Sequence, residues 1–188
     1  REALGIGMQI ALLLNCEIPD EIHIMRKTVI DGSNTSGFQR TAVIGLNGTL
    51  DTPEGKVRIT SVAIEEESCQ ILEKRGDETV YGLNRLGIPL VEISTAPDIV
   101  SPQHARSAAE KLGMILRSTA KVKRGLGTIR QDLNVSIPNG TRVEIKGAPD
   151  LRLPLATLVN QAGERSHIDR APVVQRMDRD EGHVPFPD

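Results

Sequence analysis

The 188-residue sequence contains very few aromatic side chains, with two Phe, one Tyr and no Trp. The hydrophobic core must therefore be aliphatic, and a base-stacking platform for single-stranded nucleic acid is not expected. An excess of positive charge is also absent, because 23 Lys and Arg stand against 25 Asp and Glu, giving a net charge of −2. This balance argues against a protein that holds a nucleic acid mainly by its phosphate backbone.

Cysteine is scarce, and long apolar runs are missing. Cys16 and Cys69 form no CxxC pair, so the sequence predicts neither a zinc site nor a disulfide framework. No apolar stretch approaches the ~20 residues of a membrane-spanning helix, and no secretory signal is recognisable. We therefore expect a cytoplasmic protein. Because the sequence begins at Arg1 within a helical pattern, we also expect it to be a fragment of a longer chain.

Hydrophobic periodicity predicts a mixture of helices and strands. Ser101 followed by Pro102 is typical of a helix start, and that helix is expected to continue to about Arg117. The stretch 47–56 is rich in turn-forming residues and predicts a connection. The other expected elements are a helix at 1–15 and strands at 21–27, 41–46, 57–66, 68–74, 78–83 and 88–94.

Residues 127–147 predict a β-hairpin with a three-residue loop at 138–140. This register pairs Ser136 with Arg142, Val135 with Val143, Asn134 with Glu144, Leu133 with Ile145, and Asp132 with Lys146. One face of the hairpin is then aliphatic and the other carries alternating charges. That polar face is either solvated or the floor of a cleft for charged ligands.

Hydrophobic periodicity fades after about residue 163. Residues 164–188 are rich in charge and contain Pro172, Pro185 and Pro187. We therefore expect one domain over 1–163, followed by a linker or mobile segment at 164–188 that leads toward a following domain.

The stretch MRKTVIDGSNTSGFQRT at 25–41 places cations on both sides of a loop of small polar residues. Such a loop can hold a phosphate through its backbone N–H groups, or it can be an ordinary solvated turn. Residue types alone leave these two interpretations equal. Neither a P-loop nor a complete glycine-rich dinucleotide motif is present, so any use of ATP needs another architecture.

Two groups of acidic residues are candidates for chemistry. Glu92 lies within the apolar strand 88–94, where a carboxylate is costly to bury unless a cation or a metal balances it. In the run Glu65–Glu66–Glu67, strand alternation allows either Glu65 and Glu67, or Glu66, to face a common cleft. For each of these carboxylates, a solvated surface position is the alternative.

Five segments of the sequence resemble the B/E family of Glu-tRNA amidotransferase subunits, in its archaeal E-type branch. They are the 25–41 stretch, IEEES at 64–68, GLNRLGIPLVEISTAPDIVSP at 82–102, GLGTIRQDLNVSI at 125–137 and GTRVEIKG at 140–147. The resemblance covers about residues 1–163. It implies an α+β fold, an antiparallel-sheet cradle of the glutamine-synthetase and guanido-kinase class with a few helices.

The resemblance also implies an activity with two half reactions. ATP phosphorylates the side-chain carboxylate of glutamate carried by tRNA(Gln), and ammonia from an asparaginase-like D subunit then displaces the phosphate. Glu65 and Glu92 correspond to family ligands of Mg²⁺. The remaining ligands, a Glu and a His, belong to a strand that would precede Arg1, and Ala63 stands where B-type subunits have a histidine. This sequence is therefore expected to contain half of the metal site.

Other residues are assigned on the same resemblance. For catalysis they are Arg40, Arg85 and Arg130. For binding of ATP and of the tRNA acceptor end they are Arg26, Lys27, Ser33, Asn34, Thr35, Ser36, Gln39, Arg40, Asn84, Asp132 and Lys146. Two alternatives remain open at this point: a non-catalytic paralogue that binds tRNA or a partner, and a B-type subunit that also acts on Asp-tRNA(Asn).

Overall fold

The computed structural model describes residues 1–125 and 128–136, together with the backbone of strands at 143–145, 167–168 and 173–176. These residues form an α+β structure in which every paired strand is antiparallel. The elements are α1 (Glu2–Leu13), β1 (Met25–Thr28), β2 (Phe38–Thr52), β3 (Gly55–Glu66), β4 (Gln70–Arg75), β5 (Glu78–Gly82), β6 (Pro89–Thr95), α2 (Pro102–Ser118), β7 (Ile129–Gln131), β8 (Leu133–Ser136), β9 (Val143–Ile145), β10 (His167–Ile168) and β11 (Val173–Arg176).

The strands form three sheets within the described part of the chain. The largest has six strands in the order β1-β2-β3-β6-β11-β7, the second has the order β10-β8-β9, and β4 and β5 form a separate hairpin. The resemblance-based expectation of an α+β fold built on antiparallel sheet is confirmed at this level. Of the described helices, none is long and apolar enough to cross a membrane.

The prediction that 47–56 is a turn-rich connection is wrong, because β2 continues through Thr52 and β3 begins at Gly55. The polar side chains of this stretch are tolerated because its backbone pairs with β3, from Gly48 opposite Ile59 to Thr52 opposite Gly55. Leu50 is fully buried in the core. Cross-strand pairing therefore overrides the local turn preference of Asn, Gly, Thr and Asp.

Both helices pack on one face of the large sheet, and the core lies between them and the sheet. The largest fully buried side chains are all aliphatic, as the shortage of aromatic residues requires: Ile10, Leu14, Ile44, Leu50, Ile59, Ile93, Leu112, Leu116 and Leu133. The opposite face of the sheet is consequently free of helices among the described residues.

The N-terminus of α2 has the cap that its sequence predicts. Ser101 is extended, at φ −147° and ψ 157°, and its Oγ accepts a hydrogen bond of 3.1 Å from the His104 backbone N–H. Pro102 occupies the first helical turn, where a missing N–H costs nothing. The first helix ends at Leu13, two residues earlier than predicted, and Asn15 just beyond it takes a positive φ of 54°.

The predicted hairpin register is confirmed where the structure describes it. Leu133 pairs with Ile145, Asn134 with Glu144 and Val135 with Val143. The loop at 138–140 and the pairs involving Arg142 and Lys146 lie outside the described residues. Two short strands, β10 and β11, fall within 164–188, and the domain boundary near 163 stays a prediction.

Candidate functional site

The sheet face opposite the helices carries a group of polar side chains from four strands. In antiparallel strands, directly opposed residues lie on the same face. The register opposes Lys27 to Gln39, Thr41 to Glu65, and Ala63 to Glu92. Since Glu65 and Ala63 are two residues apart on β3, they share a face as well. The side chains of β1, β2, β3 and β6 thus converge on one surface.

Glu65 lies at the centre of this surface and is 6% exposed. Its Oε1 accepts hydrogen bonds from Lys27 Nζ at 2.6 Å and from Thr41 Oγ1 at 3.3 Å. Its Oε2 accepts a hydrogen bond from Gln39 Nε2 at 3.3 Å. A buried carboxylate needs such partners, because an unpaired charge in this position would be strongly disfavoured. Three neighbours on two strands therefore fix the orientation of Glu65.

Glu92 is partly buried beside Glu65, and the two carboxyl groups are close enough to share a hydrogen bond. Burial, followed by the negative charge of Glu65, raises the pKa of Glu92 to about 7. The nearby ammonium of Lys27 lowers this pKa, while Asp132 raises it further. Two carboxylates in such proximity favour either a shared proton or a bound cation.

A second acid–base pair lies on the same side. Glu67, two residues beyond Glu65, is 2% exposed and its Oε1 lies 3.4 Å from the guanidinium of Arg130. Arg130 is opposite Val174 on β11, and Val174 is opposite Glu92 on β6, so Arg130 and Glu92 lie in one cross-strand row. The structure therefore brings Arg130 to the same face as the paired carboxylates.

Two of the predicted cationic residues lie on the other face of the sheet from Glu65. Arg26 and Arg40 are opposed to each other and alternate with Lys27 and Gln39, so they are on the helix side of the sheet. Arg40 donates to Glu66, with Nε 2.9 Å from Oε2 and its backbone N–H 3.0 Å from Oε1. The guanidinium of Arg26 stacks over Phe38 at 5.0 Å from the ring centre.

Partial burial opposes the charged form of Glu66, but the hydrogen bonds from Arg40 hold its pKa below the usual value. The Arg40–Glu66 pair lines an open pocket of about 450 Å³ near the start of α1. The predicted cluster of Arg26, Lys27 and Arg40 is thus divided between two faces, and only Lys27 reaches Glu65.

The polar loop between β1 and β2 is folded through two side-chain turns. Asp31 accepts hydrogen bonds from the N–H and Oγ of Ser33, and Asn34 accepts the corresponding bonds from Ser36. Thr35 is exposed at the tip. The Ser33 and Ser36 N–H groups are therefore already bonded within the loop and do not form a ready phosphate cradle.

Three further predicted residues are Asn84, Arg85 and Lys146. Asn84 and Arg85 lie in the turn between β5 and β6, where Gly87 donates its N–H to the Glu67 carbonyl at 2.9 Å. The Nε atom of Arg85 is buried without a hydrogen-bond partner. Lys146 lies outside the described residues.

The sequence predictions did not include Thr41 among the site residues, and they named Glu67 only as an acidic residue that could share a cleft with Glu65. Thr41 follows Gln39 by two residues, and this period-2 spacing in a strand is the signal that both face Glu65. Glu67 stands in the same relation to Glu65, and its pairing with Arg130 depends on the order of strands in the sheet. That order is not visible in the spacing of residues.

The arrangement is suited to binding a hard cation together with an anion. Glu65 and Glu92 offer carboxylate oxygens, and Lys27 and Arg130 offer positive charge on the same face. Among the described residues, no group of three or more His, Cys, Asp or Glu side chains could hold a metal ion. Mg²⁺ in proteins commonly uses one or two carboxylates and completes its coordination with water and substrate oxygens.

Comparison with known proteins identifies the class of this domain. The family model of the GatB/GatE catalytic domain matches residues 1–166, and the chain belongs to this family.

Its relatives include archaeal proteins that are named as the E-type subunit of glutamyl-tRNA(Gln) amidotransferase. The protein of Methanosarcina acetivorans is 57% identical over 165 residues, which is 88% of this chain and 26% of the relative. The proteins of Thermococcus gammatolerans and Methanocaldococcus jannaschii are 61% and 59% identical over 80% and 81% of the chain, and 24% of each relative. The chain thus spans about a quarter of the length of these curated relatives.

Proposed function

We propose that this chain supplies the part of an archaeal-type amidotransferase in which a tRNA-bound carboxylate is activated. The reaction converts Glu-tRNA(Gln) to Gln-tRNA(Gln): ATP phosphorylates the glutamate side chain, and ammonia then displaces phosphate. The observation that carries the proposal is the convergence of Glu65 and Glu92 beside Lys27. Family membership and the names of the relatives support the choice of substrate.

Magnesium fits the paired glutamates. The raised pKa of Glu92 results from its burial and from the charge of Glu65, and a bound divalent cation would relieve both effects. Mg²⁺ commonly uses one or two carboxylates and completes its shell with water and substrate phosphates. When bound, it would neutralise phosphate charge during transfer. Further ligands from a preceding strand remain an expectation from the family resemblance.

The chain's own side chains would bind and orient the reactants. Gln39 and Thr41 hold Glu65 in place, and Lys27 presents an ammonium group beside it. Glu67 holds Arg130, whose side chain is 49% exposed and can meet an anion on the same face. These two cations would stabilise the negative charge that develops during phosphoryl transfer and amide formation.

Ammonia is proposed to come from a separate asparaginase-like D subunit, and the acceptor end of tRNA(Gln) is proposed to reach the Glu65–Glu92 face. The near-zero net charge of this chain supports tRNA being held mainly by other parts of the protein. The antiparallel sheet with one polar face supports the finer assignment to the glutamine-synthetase and guanido-kinase class.

The decisive experiment changes Glu92 to Gln in the protein at its full natural length, together with its ammonia-producing partner. ATP-dependent formation of Gln-tRNA(Gln) should fall by about 100-fold or more, since removing an electrostatic contribution of this kind costs about 3 kcal/mol. The matched control is Glu110→Gln on the exposed side of α2, where Glu110 pairs with Arg106. Undiminished activity of the Glu92 variant would remove this residue from the site.

A non-catalytic role in binding tRNA or a partner is the second candidate. It is favoured by the observation that the described residues provide two carboxylates rather than a complete metal site. Calorimetric titration with Mg-ATP separates the two functions, because a purely binding protein would take up its partner and no nucleotide. A B-type activity on Asp-tRNA(Asn) is disfavoured, since the named relatives are of the E type.

A further inference from the structure

Lys27 makes the shortest contact within the site. Its ammonium lies 2.6 Å from Glu65 Oε1, and its positive charge also acts on Glu92. The two partners differ in freedom, because Glu65 is 6% exposed while Lys27 is 51% exposed. The Glu65 carboxylate is held by hydrogen bonds from Gln39 and Thr41 on the neighbouring strand. The Lys27 side chain is half-exposed to solvent, and its ammonium contacts Glu65.

The position of Lys27 in the sheet gives it room to move. It lies on β1, which is the edge strand of the six-stranded sheet in the described part of the chain. A lysine side chain combines a flexible four-carbon stem with a compact charge, so its ammonium can reach more than one anion from a fixed backbone position. The neighbouring Arg26, by contrast, is on the other face over Phe38.

A divalent cation bound by Glu65 and Glu92 would compete with the Lys27 ammonium for the negative charge of Glu65, whose Oε1 that ammonium now contacts. Two positive charges at one oxygen repel each other strongly in a partly buried site. The ammonium and the metal are therefore alternatives at Glu65 Oε1. The metal also brings phosphate oxygens, to which an ammonium leaving Glu65 can donate.

We propose that Lys27 is an exchanging cation, which holds Glu65 until a divalent ion takes that carboxylate oxygen and which then binds a phosphate oxygen of the nucleotide. This inference depends on the proposed function, because it uses Glu65 and Glu92 as metal ligands. It adds an order to the assembly of the site: Lys27 would leave Glu65 when a divalent ion binds, and its freed ammonium would then hold the anion.

The proposal predicts opposite effects of one substitution on two ligands. In the protein at its full natural length, Lys27→Met should bind Mn²⁺ alone about five- to tenfold more tightly, because a competing charged contact is lost. The same variant should bind Mn²⁺ with a nonhydrolysable ATP analogue about tenfold more weakly than the wild-type protein. Free Mn²⁺ is measured by electron paramagnetic resonance.

Two variants serve as controls. Lys27→Arg keeps a cation that can reach Glu65, so its affinity for Mn²⁺ alone should remain within about twofold of wild type. Lys56→Met removes another exposed lysine, which pairs with Asp51 at 3.6 Å near the start of β3, nine residues along the strand from Glu65, and should change neither affinity. A Lys27→Met protein with unchanged or weaker affinity for Mn²⁺ alone would overturn the proposal.

A second measurement does not depend on any substitution. Acylation of lysine amines by a succinimidyl ester, followed by mass spectrometry, reports how free each ammonium is. Labelling of Lys27 should rise several-fold on adding Mg²⁺ alone and fall again with Mg²⁺ and the ATP analogue, while that of Lys56 should stay constant. If Mg²⁺ leaves the labelling of Lys27 unchanged, the exchange does not occur.

Failure of this inference is distinguishable from failure of the proposed function. A wild-type protein that binds no Mn²⁺, or binds it equally well after Glu92→Gln, contradicts the metal site itself. A protein whose Mn²⁺ binding depends on Glu92 but not on Lys27 keeps the metal site and loses the exchange.

Discussion

The side chains of Glu65 and Glu92 form an arrangement that is costly without a partner for their charge. Glu65 receives three hydrogen bonds, one of them from the charged Lys27, and Glu92 meets the charge of its neighbour in a partly buried position. A sheet that served stability alone would gain by replacing this pair with apolar residues. Such local cost is typical of binding and catalytic sites.

Stability should consequently depend on the ionisation of Glu92 when no metal is present. Its pKa is raised from 4.5 to about 7, so between these values the folded protein retains a proton that the unfolded chain releases. Stability from this group is complete below pH 4.5 and is lost as the pH rises through 7. Allowing for partial solvation, we expect a loss of about 2 kcal/mol, measured by chemical denaturation in a chelator.

The Glu92→Gln variant lacks this ionisation and provides the comparison. The difference between its free energy of unfolding and that of the wild-type protein should shift in its favour by the same ~2 kcal/mol as the pH rises from 4.5 through 7. The free energy of unfolding of Glu110→Gln should follow the wild-type pH profile. Parallel pH profiles for Glu92→Gln and wild type would show that the Glu92 carboxyl is not perturbed.

Strand alternation predicted part of the site and could not predict the rest. It correctly limited the acidic run to Glu65 with Glu67, or Glu66, on one face, and the structure places Glu66 on the other side with Arg40. Assigning Arg40 to a face, however, requires the register of β1 against β2, which depends on how many loop residues separate the two strands. The loop composition alone does not fix that number.

At the level of elements, the contact between the end of α1 and β2 depends on a residue without a side chain. A Cβ added at Gly48 would collide with Cys16 Sγ and would lie 2.6 Å from the Leu14 carbonyl oxygen. The Thr49 N–H donates to that same carbonyl at 2.7 Å. The helix and the strand therefore approach each other closely, and a turn-forming residue is retained within a strand for the space it leaves.

We expect Gly48→Ala to destabilise the protein by about 1–3 kcal/mol, because the Leu14 carbonyl and the Cys16 side chain, just beyond the end of α1, would have to shift. The free energy of unfolding measures this effect. Gly5→Ala is the matched control: a Cβ at Gly5 meets nothing within 4 Å, and alanine in a helix interior should add up to about 1 kcal/mol of stability. Equal stability of both variants would mean that α1 is not packed against β2 as described.

Local signals were sufficient for the helices but not for the longest strands. The Ser101–Pro102 start of α2 and the Leu133–Ile145 register follow from capping chemistry and period-2 patterning. The extension of β2 through Thr52 follows from pairing with β3, whose apolar pattern was clear from the start. The polar end of β2 becomes a strand because the backbone N–H and C=O groups of the neighbouring β3 need hydrogen-bond partners.

On the scale of the whole molecule, the large sheet in the described part of the chain has one apolar face and one polar face. One face packs aliphatic side chains against α1 and α2, and the other presents Lys27, Glu65, Glu92 and Arg130. Substitutions on the second face should therefore change the proposed ligand binding without opening the aliphatic core. This division also explains why composition predicted an aliphatic core but gave no indication of the site.

A ligand that binds the second face should stabilise the whole fold. Mg²⁺ at about 100 times its dissociation constant contributes roughly 2.7 kcal/mol, which raises the melting temperature by several degrees. The increase should be larger at pH 8 than at pH 5.5, because the metal must displace the proton from Glu92. Glu92→Gln should lose most of the increase, and K⁺ at equal ionic strength should not reproduce it. A shift of equal size in the variant would place the stabilising metal outside the Glu65–Glu92 pair.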